Sequence, residues 1–77
     1  NEAFAVIDVL FDRAFPGMRE RYNRFGGALA YGHPYGASGA LLILHLLKFL
    51  EFCGGYYGIC AAAAAGGIGS AILLERR

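Results

Sequence analysis

The sequence predicts an α/β chain built from a helix, a histidine-bearing loop, a buried helix and two final strands. Three observations carry this. Apolar residues fall at helical spacing near the start; a second apolar run, 37–52, is bounded by glycines; and a third, 56–75, holds glycines and strand-forming residues. The chain has 77 residues and is 57% hydrophobic, with a mean hydropathy of +0.45. So short a chain has too much surface to hide that many apolar side chains. It also opens on Asn1 with no initiator methionine. The expectation is a fragment, or one chain of a split protein, completed by a partner.

Residues 2–15 read as the first helix. Phe4, Ile7, Leu10, Phe11, Ala14 and Phe15 share one face, while Asp8 and Asp12 lie on the other. Asn1 suits the N-cap, Glu2 suits the positive end of the helix dipole, and Pro16-Gly17 stops the helix. Residues 16–26 form a polar loop with room for one helical turn. Its Arg19, Arg21 and Arg24, with Arg13, read as a solvated surface or as a contact for an anionic ligand. Residues 27–31 read as a short extended segment.

The next stretch is Gly32-His33-Pro34-Tyr35-Gly36-Ala37-Ser38-Gly39, with three glycines and a proline in eight residues, which makes a tight loop. Ser38 is placed to cap the following helix. His33, a titratable imidazole on a turn at a helix start, fits catalysis, and it equally fits a structural loop histidine.

Residues 37–52 read as a helix that is apolar almost all round and therefore buried. His45 on it reads as a core-edge or interface residue, and Cys53 as a small buried hydrophobe. Residues 56–64 read as a strand, 65–69 as a small-residue turn and 70–75 as a second strand. The alanine run alone would favour helix. The bracketing glycines, Tyr56-Tyr57 and Ile72-Leu73-Leu74 favour strands instead.

Several function classes are weakened by this pattern. A net charge of +1 gives no electrostatic basis for nucleic-acid binding. Cys53 and Cys60 lie seven apart, which is neither metal-ligand spacing nor a disulfide framework, so no metal is expected. No secretory leader is visible, and a cytoplasmic protein is expected, or a mitochondrial or peroxisomal one if eukaryotic. Phe52 to Leu74 carries no charge and is long enough to cross a bilayer, but six glycines interrupt it. A strand pair accounts for them better, so no membrane span is expected. Gly66-Gly67-Ile68-Gly69 lacks the partners of a phosphate-binding loop.

Three blocks stand in order: Asn1-Glu2-Ala3-Phe4; Gly26-Gly-Ala-Leu-Ala-Tyr-Gly-His33-Pro-Tyr-Gly-Ala-Ser-Gly39; and Tyr57-Gly-Ile-Cys-Ala-Ala-Ala63-Ala-Ala-Gly-Gly-Ile-Gly69. Together they resemble the C-terminal part of a thiolase, over nearly the whole chain. The resemblance implies a thiolase-like fold, with residues 1–77 completed by an N-terminal half or partner chain that carries the nucleophilic cysteine. It implies acyl transfer and Claisen condensation, interconverting two acyl-CoA molecules with 3-ketoacyl-CoA plus CoA through a cysteine acyl-enzyme. Coenzyme A thioesters are then the substrates, no further cofactor is needed, and a dimer or tetramer is expected.

By the same resemblance His33 deprotonates the nucleophile. His33 and a water held by Asn1 receive the enolate oxygen, while the backbone N–H groups of Ala65 and Gly66 serve a second oxyanion hole. Phe4 and Pro34 fall at substrate-contacting positions. One position departs: the family's acid/base cysteine aligns with Ala63, which cannot move a proton. Cys60 lies at an odd offset, on the opposite face of a strand. Three explanations stand. The cysteine was replaced deliberately; the chain is a thiolase-like, non-catalytic CoA-binding or assembly subunit; or a loop shift brings Cys60 into place.

Overall fold

The computed structural model describes all 77 residues. Helix α1 spans Val6–Ala14, a 3-10 turn spans Arg19–Arg21, and helices α2 and α3 span Ala28–Tyr31 and Ser38–Cys53. Strands β1, Tyr57–Ala64, and β2, Ile68–Glu75, form one antiparallel pair. The register runs unbroken from Tyr57 opposite Glu75 to Ala64 opposite Ile68.

Helix α1 is shorter than its apolar spacing predicts. Its N-cap is Ala5, and Asn1 does not cap it. Residues 1–4 are drawn out of the helix by long-range partners: the backbone nitrogen of Asn1 donates to the Ala61 carbonyl, and the Glu2 carboxyl accepts from Asn23. The expected extended segment at 27–31 is instead the single turn α2. Ala28-Leu29-Ala30 are strong helix formers, and Gly27 and Gly32 bracket them. The polar loop does hold one helical turn, the 3-10 turn.

Helix α3 ends as its glycines predict. Gly54 adopts φ +73°, a left-handed cap that L side chains rarely take, and Gly55 N–H donates to the Leu50 carbonyl at 3.0 Å. Only one side of α3 is covered. Leu50 is 4% exposed, but Phe52 is 79% exposed and Leu44 50%, so the expectation of burial all round does not hold within this chain. Cys53 is likewise exposed rather than buried.

The hairpin packs on α3 through the even-numbered side of β1. A Cβ on Gly58 would lie 2.3 Å from Leu46 Cδ1, so a side chain here requires Leu46 or the strand to shift. A second apolar cluster joins the loops to the helices. Phe11 stacks on Tyr22, with ring centroids 4.2 Å apart, and Phe25 meets Phe49 edge-on at 5.4 Å. His45 lies half-buried at the core edge, edge-on to Tyr31 at 5.1 Å. No helix is long and apolar enough to cross a membrane, and residues 57–75 are the hairpin rather than a helical span.

Candidate active site

The His33 loop is shaped by its own backbone. The Pro34 carbonyl accepts from the N–H groups of Ala37 and Ser38, both at 2.9 Å, which folds the turn back on itself. That folding brings the Ser38 side chain to the imidazole. Ser38 Oγ lies 2.6 Å from His33 Nδ1. Ser38 was expected to cap α3, yet its side chain makes no cap bond; its hydroxyl is committed to the histidine. Ser38 is also buried, at 6% exposure, so the histidine's partner is fixed while the ring itself stays exposed.

Asn1 reaches the same nitrogen from across the chain. Its side-chain Nδ2 lies 3.4 Å from His33 Nδ1, although the two residues are 32 positions apart. This contact is at the long limit of a hydrogen bond, and the Ser38 contact is the strong one. Nδ1 is thereby occupied, and Nε2 is left for other chemistry. When Ser38 accepts from Nδ1–H, Nε2 presents a lone pair and is a base. When the hydroxyl is turned round and donates, Nε2 carries the proton and is a donor.

The same asparagine is tied to β1. Its backbone nitrogen donates to the Ala61 carbonyl at 2.5 Å, two residues before Ala63. Asn1 and Ala63 both line one groove of about 950 Å³, and Phe11, Tyr22 and Phe49 line it further along. His33 lies outside that groove lining. Ala65 and Gly66 form the exposed hairpin tip, where Gly66 holds φ +85°. Phe4 is 74% exposed, and Pro34 is exposed beside His33. The structure thus gathers Asn1 and His33 at one point and sets Ala63 along the groove from Asn1. It leaves Phe4 and the hairpin tip outside that contact.

The register decides where Cys60 stands. Gly58 faces α3, and with strict alternation Cys60 faces α3 as well, while Ala61 and Ala63 face away. No bulge interrupts the ladder, so Cys60 keeps the α3 side of the strand, although it lines the same groove as Asn1 and Ala63. Burial raises the Cys60 thiol above its usual range, the direction opposite to that of an activated thiol.

Two participants were not visible as such in the sequence. Ser38 reads there as a cap, although its place five residues after His33 on a proline turn carries the signal. Glu2 reads as a helix-dipole charge, yet it is 7% exposed and accepts from Asn23 Nδ2 at 2.9 Å.

Comparison with known proteins gives the chain's family. The family profile described as "Thiolase, C-terminal domain" matches residues 1–76. The rat protein named "Acetyl-CoA acetyltransferase, cytosolic" is 41% identical over 76 residues, covering 99% of this chain and 19% of the relative. An acetyl-CoA acetyltransferase of Synechocystis is 45% identical over the same shares. A 3-ketoacyl-CoA thiolase of Aliivibrio fischeri is 48% identical over 56 residues, covering 73% of this chain and 13% of the relative. The chain therefore spans about a fifth of the length of the acetyltransferases it matches. No solved structure gives a significant match. With the profile running from Asn1 to Arg76, through the histidine turn and the glycine hairpin, the chain belongs to the thiolase family and matches its C-terminal domain.

Proposed function

We propose that this chain supplies the histidine–asparagine part of a thiolase centre, and that an N-terminal thiolase half supplies the nucleophilic cysteine. The observation that carries the reading is the meeting of Asn1 and His33 across 32 positions. Acylation in this reading runs as follows. His33 Nε2 takes the proton of the cysteine thiol. The thiolate attacks the thioester carbonyl of acyl-CoA, the carbon–sulfur bond to coenzyme A breaks, and the leaving thiolate takes the proton back. Backbone N–H groups of Ala65 and Gly66 receive the carbonyl oxygen as it gains charge, and Phe4 and Pro34 border the acyl chain.

Condensation needs a second proton movement. A proton leaves the methyl group of acetyl-CoA, and the enolate oxygen is met by His33 Nε2–H and a water on Asn1. The acid/base position is Ala63, which has no group to move that proton. This favours a second reading: the chain belongs to a thiolase-like subunit that binds coenzyme A thioesters and assembles, but does not condense them. In either reading the assembly is a dimer or tetramer, and the compartment is the cytoplasm, or the mitochondrion or peroxisome of a eukaryote.

The test begins with the intact mass of the protein that carries this chain, then adds acetyl-CoA. A stoichiometric gain of one acetyl group on a cysteine outside residues 1–77, lost in His33→Ala, supports the acyl-enzyme reading. Unmodified protein that retains coenzyme A supports the binding subunit. Protein that neither acylates nor retains coenzyme A overturns both.

A further inference from the structure

Glu2 stands next to Asn1 and is almost wholly out of solvent, at 7% exposure. A carboxyl is costly to bury unless its oxygens are matched, so its surroundings are specific. Oε1 accepts from Asn23 Nδ2 at 2.9 Å. It also fills the space beside the Gly27 Cα, where a Cβ would sit 1.8 Å from it. The Asp8 carboxyl stands beside Glu2 and accepts from Tyr22 Oη at 2.5 Å. Burial first, and then the neighbouring Asp8, raise the Glu2 carboxyl above its usual range.

This single side chain joins three segments. Asp8 belongs to α1, Tyr22 and Asn23 to the loop behind it, and Gly27 to the entry of α2. Asn23 holds φ +43°, a non-glycine residue in the left-handed region, with its amide turned to Glu2. Helix α2 is one turn long and ends at Gly32, immediately before His33. Fixing Gly27 therefore fixes the origin of the segment that delivers the imidazole, and fixing Glu2 fixes its neighbour Asn1.

We propose that Glu2 is a positioning residue that sets the separation of Asn1 from His33 by clamping the entry of α2. The proposal rests on the thiolase reading above. It predicts a selective loss. The enolate-binding pair, Asn1 and His33, needs the clamp. Acylation, which uses His33 with backbone donors, needs it less.

The test uses the complete thiolase carrying this chain, with Ala63→Cys as the parent. Two rates are read: exchange of the methyl protons of acetyl-CoA with deuterated water, and acetylation of the enzyme in a single turnover. Glu2→Ala is expected to slow exchange by about 30-fold and acetylation by less than about threefold, part of the loss from deleting one oxyanion donor. Glu2→Gln, which keeps the length and the acceptor oxygen, is expected to recover exchange to within about fivefold of the parent. Gly27→Ala, whose Cβ displaces the carboxyl while leaving it in the chain, is expected to give the same split as Glu2→Ala. This second variant serves if Glu2→Ala does not fold. Equal loss of both rates, or unchanged exchange, overturns the positioning role. If Asn1→Ala also leaves exchange unchanged, or the parent shows none, the thiolase reading falls and the proposal with it.

Discussion

Ser38 Oγ lies 2.6 Å from His33 Nδ1, and this is the shortest side-chain contact the histidine makes. The serine is buried and the ring is exposed, so the serine orients the ring. Removing the hydroxyl leaves Nδ1 with only the long Asn1 contact. Ser38→Ala is expected to slow acetylation of the complete enzyme by about 3- to 10-fold, in line with about 0.5–1.5 kcal/mol for one hydrogen bond to an exposed ring. Ser38→Thr, which keeps the hydroxyl, should stay within a few-fold. Release of coenzyme A on mixing with acetyl-CoA measures both. An unchanged rate in Ser38→Ala would separate the serine from the chemistry.

The Ala63 position gives the most direct gain-of-function test. Ala63 lines the same groove as Asn1, as Cys60 does. Ala63→Cys adds a proton carrier, and a positioned acid/base group is worth about 10²- to 10⁴-fold. Thiolysis of acetoacetyl-CoA by the complete protein should rise by that order. No gain would mean that more than one group is missing from the condensing site, and would favour the non-condensing subunit.

Cys60 should behave in the opposite way to a catalytic thiol. Burial holds its proton, so the reactive thiolate is scarce at neutral pH. Alkylation of Cys60 should be slower in the folded protein than in denaturant, and should accelerate only as pH climbs above the ordinary thiol range. The sign for stability follows. The folded state binds this proton more tightly than the unfolded state, so the group's contribution is present at lower pH and is lost as pH rises through the thiol range. Peptide-resolved labelling with iodoacetamide reads the rates. Equal labelling of folded and unfolded protein at neutral pH would contradict this.

Gly58 is where the hairpin and α3 come closest. A methyl group there would lie 2.3 Å from Leu46 Cδ1 and within 2.8 Å of Leu46 Cγ. Gly58→Ala therefore requires Leu46 to change rotamer or the strand to retreat, at a cost of about 1–3 kcal/mol. Thermal unfolding of the complete protein should show a lower Tm. Gly58→Ala with Leu46→Ala should recover less than the single change predicts, because the second substitution opens a cavity of its own. An unchanged Tm in Gly58→Ala would show that Leu46 moves aside freely.

Much of this was legible from residue patterns, and the failures have two causes. The hairpin could be read against the helix preference of five alanines, because flanking tyrosines, isoleucine and glycines outweigh them. The stop of α3 was equally legible, since Gly54 is suited to a left-handed cap. Asn1 was misread as a cap because capping is a local rule, while its actual partners, Ala61 and His33, lie far along the chain. Ser38 was assigned to its neighbouring helix for the same reason. Residues 27–31 differ: a five-residue segment is too short for its periodicity to separate a strand from a turn of helix. The family was readable from the motifs, whereas the partners of Asn1, His33 and Ser38 required three dimensions.

The bond from the Asn1 backbone to Ala61 closes a loop of 60 positions, against the five that separate His33 from Ser38. Contacts so distant in sequence carry a larger closure entropy and form after local ones. The histidine turn is thus a local unit, assembled early with its serine, while Asn1 arrives only once the hairpin stands. On the proposed thiolase reading, the Asn1–His33 pair is then completed later in folding than the serine-oriented imidazole.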